Sequence, residues 1–217
     1  MQTRLPGKSG VHDLQRVCNS QPDKFDCLII HLVRDPRAVI SSLINHKFYL
    51  LAKKKLITTQ NTTNEGKEII RHNSFIVCSL IEHNLNYVNE RWSTWFRGRY
   101  TLLRYEDITG DLFSVALHLY NFTGIPMVTT IRKWILEGTW PLDVNAKHPA
   151  FVVSEKDNTR IEHWRSRLDT SQVTEFEELC WPVMYMMGYK SINGSEHLLH
   201  NTTQKLWTEK MPFQFPC

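Results

Sequence analysis

The chain has 217 residues, of which 41% are hydrophobic and 11% aromatic, so its length suits one well-formed core and is small for two domains. Its formal charge of +4 suits an anionic ligand, but the absence of a long basic tract argues against a nucleic-acid-binding protein. The longest apolar runs are far shorter than a bilayer span, and the first ten residues lack the apolar core of a signal peptide.

The cysteines and the N-x-[ST] triplets bear on the cellular compartment. Five cysteines are scattered without the spacing of a zinc site or of a dense disulfide framework, and their odd number leaves at least one unpaired within the chain. The triplets matter only if the chain enters the secretory pathway, and they begin at Asn61, Asn121, Asn193 and Asn201.

The polar residues 1–25 are predicted to be an irregular amino-terminal segment. A near-continuous apolar run follows at residues 27–33, and its lack of alternation predicts a buried, parallel strand. Asp35 can then cap a helix, and Pro36 fits the first helical position, where a missing N–H costs nothing. We therefore predict that a strand turns into a helix within three residues, and that this helix runs to about Asn45.

The strand-to-helix junction is the first candidate site. Arg34 would project from the carboxyl end of the strand, beside a helix N-terminus that favours an anion. Its guanidinium can hold a phosphate through two hydrogen bonds, and Ser41 or Ser42 can add a hydroxyl. Spacing does not choose between the two serines. An ordinary joint, with Arg34 paired to a carboxylate, is the open alternative.

The next elements complete an α/β pattern. Apolar residues at helical spacing predict a long amphipathic helix over residues 67–90, and residues 99–104 read as a second strand. Further helices are expected at residues 112–121 and 129–137. This order is typical of parallel strands joined by helical crossovers. Three acidic residues are interpreted as helix caps and not as catalytic groups, namely Glu106, Asp107 and Asp111.

Residues 138–158 have the composition of a long loop, in which His148 and Lys156 are candidate ligand contacts. The following segment, residues 159–167, concentrates basic side chains around Trp164. It could fold over bound phosphates, with Arg165 as a contact, or it could begin a helix with Trp164 in the core and the arginines outside.

The carboxyl-terminal part is predicted to contain one more helix. Residues 171–187 carry an apolar stripe, a capping-box pattern that begins at Ser171, and Gly188 as the terminator. Residues 191–217 show little periodicity and are expected to form a mobile tail.

HLVRDPRAVISS resembles the motif by which Golgi carbohydrate sulfotransferases hold the 3′-phosphate of PAPS, 3′-phosphoadenosine 5′-phosphosulfate. In that motif an arginine and a serine eight residues later bind the phosphate, which here are Arg34 and Ser42. RYEDITGD, WFRGRY and WRSRLDTSQVTEFEELCWPVMYMMGY also resemble family segments, in the same order, so the resemblance covers about residues 26–190. The family sulfates the 6-hydroxyl of galactose, N-acetylglucosamine or N-acetylgalactosamine in glycans.

The resemblance implies an α/β sulfotransferase fold like that of P-loop nucleotide kinases, with a parallel sheet flanked by helices. It implies PAPS as co-substrate, a glycan acceptor, no metal, and a type II membrane protein of the Golgi lumen; a homo-oligomer is a further expectation. Backbone N–H groups of residues 35–38 would help to hold the 3′-phosphate. The expected donor-binding residues are Arg34, Asp35, Pro36, Arg37, Ser41, Ser42 and Arg165.

The sequence departs from the family at its amino-terminal end. It has no counterpart of the membrane anchor or of the loop that binds the 5′-phosphosulfate, so no catalytic base is named, and we expect a sheet that is incomplete at that end with an uncovered apolar face near Ile30. One alternative is therefore an inactive member that keeps only 3′-phosphate binding or a partner-binding role. A weaker one is an unrelated α/β protein that binds a different phosphate.

Overall fold

The computed structural model describes residues 10–24, 26–53, 64–137 and 159–215. A π-helical turn at Trp92–Phe96 and a 3₁₀ turn at His163–Ser166 accompany the regular elements. In chain order these elements are α1 (Val11–Ser20), β1 (Ile29–Val33), α2 (Pro36–Lys53), α3 (Asn64–Glu90), β2 (Tyr100–Arg104), α4 (Tyr105–Gly110), α5 (Leu112–Thr123), α6 (Thr129–Glu137), α7 (Thr159–Glu162), α8 (Thr170–Met187) and α9 (Glu196–His200).

The two strands pair in parallel, in a register that runs from Ile29 opposite Tyr100 to Val33 opposite Arg104. Because α2 and α3 lie between them in the chain, the strand connection is helical, as parallel pairing requires. The predicted α/β fold with a parallel sheet and flanking helices is confirmed.

Strand β1 alternates between a buried and an exposed face. Ile29 and Val33 are buried, whereas Ile30 and Leu32 are 46% and 53% exposed. The prediction of a strand buried on both faces is therefore wrong for β1. Among the described residues only β2 pairs with it, and the face that carries Ile30 and Leu32 lies open, which is the uncovered apolar face that we expected near Ile30.

The main core lies where α2, α3 and α8 meet. The predicted long helix is present as α3, and its buried Cys78 forms a disulfide with Cys180 of α8. A second disulfide joins Cys18 in α1 to Cys27, just before β1. The two bonds tie together parts of the chain that sequence spacing did not pair. No helix within the described ranges is both long and apolar enough to cross a membrane.

The segments predicted to be irregular at both ends carry structure. Residues 11–20 form α1, and Val11 is buried against the core. After α8, the side chains of Leu199 and Leu206 are buried, and Phe215 stacks on Trp92 with ring centroids 4.4 Å apart. This packed carboxyl-terminal segment differs from the mobile tail that we predicted, because single apolar residues without periodicity hold it in place.

Helix ends follow local chemistry. Asp111 caps α5 by accepting a hydrogen bond from the Ser114 N–H at 3.0 Å, as predicted for this acid. Helix α8 begins one residue before the prediction, because Asp169 and Gln172 form its capping box in place of the pattern at Ser171. Gly188 ends α8 with a φ of 75°, a left-handed conformation that suits glycine.

The loop with His148 and Lys156 lies outside the described residues, as does Asn61.

Candidate functional site

The strand-to-helix junction has the geometry predicted for it. Strand β1 ends at Val33 and α2 begins at Pro36. Asp35 caps the helix, since its carboxylate accepts a hydrogen bond from the Arg37 N–H at 2.9 Å. A long helix therefore starts at the carboxyl end of a parallel strand, a position at which anions bind.

Arg34 places a positive charge at this edge. It is half-buried, and its guanidinium carbon lies 4.6 Å from the centroid of the Tyr105 ring. Tyr105 directly follows β2, and Val33 and Arg104 are paired in the register, so the two side chains leave neighbouring strands at the same edge. The aromatic ring supports a planar guanidinium whose fork matches a phosphate.

The structure separates the two serines that spacing could not distinguish. Ser42 is exposed on α2, two turns into the helix. Ser41 is 2% exposed, and its hydroxyl has no hydrogen-bond partner in the described part of the chain. Of the two hydroxyls, the one at Ser42 is open to a ligand in solvent.

Arg37 lies in the interior and bridges two carboxylates. It is 0% exposed, and it meets Asp35 through Nη2 and Glu177 through Nη1, both at 2.7 Å. Although burial alone would lower its pKa, the Asp35 and Glu177 carboxylates raise it. The Nη1 group also donates to the Lys190 carbonyl at 2.9 Å. These contacts link the start of α2 to α8 and to the segment that follows α8.

Glu106 closes the junction from the side of β2. It is 2% exposed and accepts hydrogen bonds from the Asp35 N–H at 3.1 Å and from the Tyr189 hydroxyl at 2.7 Å. Burial raises its pKa, and the nearby Asp35 carboxylate raises it further. Our interpretation of Glu106 as a helix cap is corrected, since its carboxylate binds groups from two other segments.

These hydrogen bonds limit the backbone groups that a ligand can use. The N–H of Asp35 is bonded to Glu106, that of Arg37 is bonded to the Asp35 carboxylate, and Pro36 has none. The N–H groups of residues 35–38 were predicted to help bind the phosphate. Of these, the Ala38 N–H is the one that takes part in none of the hydrogen bonds just described. The donor groups for a phosphate at this site are therefore mainly side chains.

Replacing Glu106 by glutamine is expected to change how stability depends on pH. Because the pKa of Glu106 is raised in the folded state, the folded chain retains a proton that the unfolded chain releases just above the ordinary glutamate value. This acid therefore contributes stability at low pH that is lost as pH rises through the raised pKa. In urea unfolding between pH 5 and 8, the Glu106→Gln variant should gain stability relative to wild type as pH rises. A difference that stays constant with pH would contradict this assignment.

The segment around Trp164 lies against the interior side of the junction. Trp164 is 3% exposed and packs on Arg37, with the guanidinium carbon 4.4 Å from the ring centroid. Arg165 is also buried, and it donates to the carbonyls of Asn201 at 2.7 Å and Gln204 at 2.9 Å. The alternative in which Trp164 lies in the core and the arginines outside is therefore right for Trp164 and wrong for Arg165. The Arg165 guanidinium is buried and binds backbone carbonyls of the chain itself.

Sequence reasoning missed the buried ionic partners of this site. Glu177 lies within the apolar stripe of α8, beside Phe176 and Cys180, and an acid in such a stripe is a signal for a buried cation. Arg104 at the end of β2 is fully buried and donates to the carbonyls of Met187 and Thr208. Glu177 meets Arg37, 140 residues away, and the two carbonyls that Arg104 binds are 83 and 104 residues away, so local spacing predicts none of these contacts. By contrast, the Arg104–Asp107 ion pair is local, at a separation of three residues.

The chemistry that this site supports is anion binding. It offers an arginine, the dipole of a helix N-terminus and an exposed hydroxyl, beside a buried network in which Arg37 bridges two carboxylates. Within the described ranges, no group of three or more histidine, cysteine or acidic side chains could hold a metal ion. No side chain at the junction can be named as a base for proton transfer.

Comparison with known proteins gives a consistent family. The sequence profile described as "Sulfotransferase domain" matches residues 18–188, which include the junction. No solved structure matches the chain.

Among curated proteins, carbohydrate sulfotransferase 3 of Mus musculus is 28% identical over 84% of this chain and 38% of its own length. Carbohydrate sulfotransferase 2 of Homo sapiens is 26% identical over 80% of this chain and 37% of its own length. Carbohydrate sulfotransferase 5 of Mus musculus is 29% identical over 76% of this chain and 42% of its own length. The chain thus spans about two fifths of the length of these relatives. Since the profile covers most of its residues, the chain belongs to the sulfotransferase domain family.

Proposed function

We propose that this protein transfers a sulfuryl group from PAPS to the 6-hydroxyl of a sugar in a glycan. The observation that carries this proposal is the half-buried Arg34 at the carboxyl end of β1, directly before the N-terminus of α2 and within the matched family range. The names of the similar curated proteins support a carbohydrate acceptor. The general sulfotransferase reaction follows from the family.

The residues at the junction fit the 3′-phosphate of the donor. Arg34 would bind it through its fork, and Ser42 would add a hydroxyl from the exposed side of α2. Arg37 is the positioning residue, because it pairs with Asp35 and Glu177 and offsets part of their negative charge close to the place where the phosphate would lie. Without that cation, the Asp35 carboxylate would repel the ligand more strongly.

In the transfer itself, the S–O bond to the donor phosphate breaks as a new S–O bond to the acceptor oxygen forms. The acceptor hydroxyl loses its proton to a base, and adenosine 3′,5′-bisphosphate leaves. The bound donor supplies an activated sulfuryl group. The described residues of this chain contribute alignment of the donor, which turns a bimolecular encounter into a positioned one.

We place the reaction in the Golgi lumen, with a glycan acceptor as partner. Disulfides persist in oxidising compartments, and the described part of the chain contains two, Cys18–Cys27 and Cys78–Cys180. The triplet at Asn193 lies on an exposed turn, where a glycan could be attached. Both observations suit a protein that enters the secretory pathway.

The proposal is tested by a transfer assay with the purified, oxidised chain. It would be incubated with sulfur-labelled PAPS and with neutral oligosaccharides ending in galactose, N-acetylglucosamine or N-acetylgalactosamine. We expect label on at least one acceptor, and none on the same acceptor with hydrogen in place of its 6-hydroxyl. If the folded chain labels no acceptor, or labels the 6-deoxy sugar equally well, the proposed function is contradicted.

A further inference from the structure

A groove between α3 and α8 is not used by the junction site. Its volume is about 340 Å³, which lies in the range of small-ligand pockets. Two exposed aromatic side chains from α8 form one wall, and polar side chains from α3 form the other. The lining residues are Glu82, Asn86, Trp181, Pro182, Tyr185 and Met186.

The two aromatic rings form an open strip. Trp181 and Tyr185 are 57% and 66% exposed, with ring centroids 5.7 Å apart and ring planes tilted by 40°. They are four residues apart on one helix and therefore share one side of it. Large aromatic side chains exposed together mark a binding surface more often than a solvated one.

The strip is attached to a rigid base. Cys180, the residue before Trp181, forms a disulfide with Cys78, which lies one turn before Glu82 on α3. Both cysteines are buried. The two walls of the groove are thus linked covalently directly behind the binding surface, which lowers the entropy lost when a ligand binds.

The polar groups of the groove suit hydroxyls. Glu82 can only accept hydrogen bonds when ionised, whereas the Asn86 amide can both donate and accept. Pro182 has no N–H, so the Glu178 carbonyl one turn earlier receives no helical hydrogen bond from it. Among the described residues that line the groove there is one carboxylate and no lysine or arginine. A ligand with many hydroxyls and no negative charge fits this set.

We propose that the Trp181–Tyr185 groove binds a neutral pyranose of a glycan chain, with the C–H face of the sugar on the aromatic strip and its hydroxyls toward Glu82 and Asn86. The flat, open strip suits a sugar ring better than an organic cation, which aromatic side chains bind by enclosing it. A sulfated sugar or a nucleotide would be repelled by Glu82. This inference rests on the proposed glycan acceptor and adds a second contact to it, away from the junction.

The test is a ligand-observed NMR titration with a neutral tetrasaccharide of alternating galactose and N-acetylglucosamine, and with its 6-O-sulfated form. Wild type is expected to bind the neutral tetrasaccharide more tightly than the sulfated one. The Trp181→Ala substitution is expected to weaken binding of the neutral form about tenfold, which is the upper range for the loss of an aromatic contact. Phe75→Ala is the control for losing an exposed aromatic side chain, because Phe75 on α3 is 52% exposed, close to the 57% of Trp181, and does not line the groove. Glu82→Gln should reduce the preference for the neutral form.

The outcomes separate this inference from the proposed function. If Trp181→Ala and Phe75→Ala bind the tetrasaccharide equally well, or if the sulfated form binds more tightly to wild type, the groove assignment is wrong. A change in oligomeric state on Trp181→Ala, without a change in sugar binding, would show a protein interface and overturn it. Wild type and Trp181→Ala should bind adenosine 3′,5′-bisphosphate at the junction with the same affinity. If wild type does not bind this nucleotide but still binds the tetrasaccharide, the proposed function is contradicted and the groove assignment is supported.

Discussion

Replacing Arg37 by alanine is expected to lower the free energy of unfolding by about 3–5 kcal/mol, the range for removing one partner of a buried ion pair. The substitution leaves Asp35 and Glu177 buried without the guanidinium that meets each at 2.7 Å. It also removes the side chain that packs on Trp164. Urea unfolding at pH 7 would measure the loss.

The matched control is Arg91→Ala, since Arg91 pairs with Glu90 on the surface at 3.0 Å. An exposed pair contributes about 0–1 kcal/mol and the contact of Arg91 with the Tyr87 ring about 0.5–1 kcal/mol, so this variant should lose clearly less stability than Arg37→Ala. A double variant, Arg37→Ala with Glu177→Ala, should lose less than the sum of the two single losses, because the two side chains form one unit. If Arg37→Ala loses no more than Arg91→Ala, Arg37 does not hold the junction together.

Replacing Arg34 by alanine is expected to weaken binding of adenosine 3′,5′-bisphosphate by about 1–3 kcal/mol, or about 5- to 150-fold, the range for a charged hydrogen bond. Because Arg34 is half-buried at the edge of the junction, its loss should lower the free energy of unfolding less than the loss of the fully buried Arg37. Calorimetric titration would give the affinity. The affinity of Arg34→Lys should lie between those of wild type and Arg34→Ala, because lysine keeps the positive charge but lacks the planar fork of the guanidinium.

Arg97→Ala is the control for this series, because Arg97 is exposed near the start of β2 and away from the carboxyl ends of the strands. It removes the same charge from the chain without touching the junction. Equal affinity in Arg34→Ala and Arg97→Ala would mean that net charge, and not the position of Arg34, attracts the ligand.

Local chemistry made much of this site predictable. The apolar run before Arg34, the cap at Asp35 and the proline at position 36 each act on adjacent residues, so their outcome could be read from the chain. The same holds for α3, whose apolar periodicity predicted a long helix, and for α6, whose boundaries agree with the prediction. The resemblance to the sulfotransferase motif then singled out Ser42, which is exposed and whose role in binding the donor remains a prediction.

The rest depended on contacts between distant residues. Arg37 meets Glu177, which is 140 residues away, and Glu106 meets Tyr189, which is 83 residues away. The sequence analysis placed Arg37 among the donor-binding residues and interpreted Glu106 as a helix cap, and neither interpretation identified these distant partners. Only the folded arrangement decides between a solvated charge and a buried pair, since burial requires a partner that local spacing cannot supply.

The position of Arg165 illustrates the same limit. As a basic residue beside Trp164, it fitted a phosphate-binding segment as well as a surface. Its guanidinium instead binds carbonyls at Asn201 and Gln204, within a part of the chain that had no periodic pattern. The apolar side chains at Leu199 and Leu206 pack that part of the chain against the domain. A direct contact between Arg165 and the donor remains a prediction, and the buried geometry favours a positioning role.

The central claim is that Arg34 binds the 3′-phosphate of the donor, and a cycle of four titrations tests it most directly. Wild type and Arg34→Ala would each be titrated with adenosine 3′,5′-bisphosphate and with adenosine 5′-phosphate, which lacks the 3′-phosphate. We expect the substitution to weaken binding of the first ligand much more than the second, with a coupling free energy of about 1–3 kcal/mol. Equal losses for the two ligands would contradict the claim, because Arg34 would then act on some other part of the nucleotide.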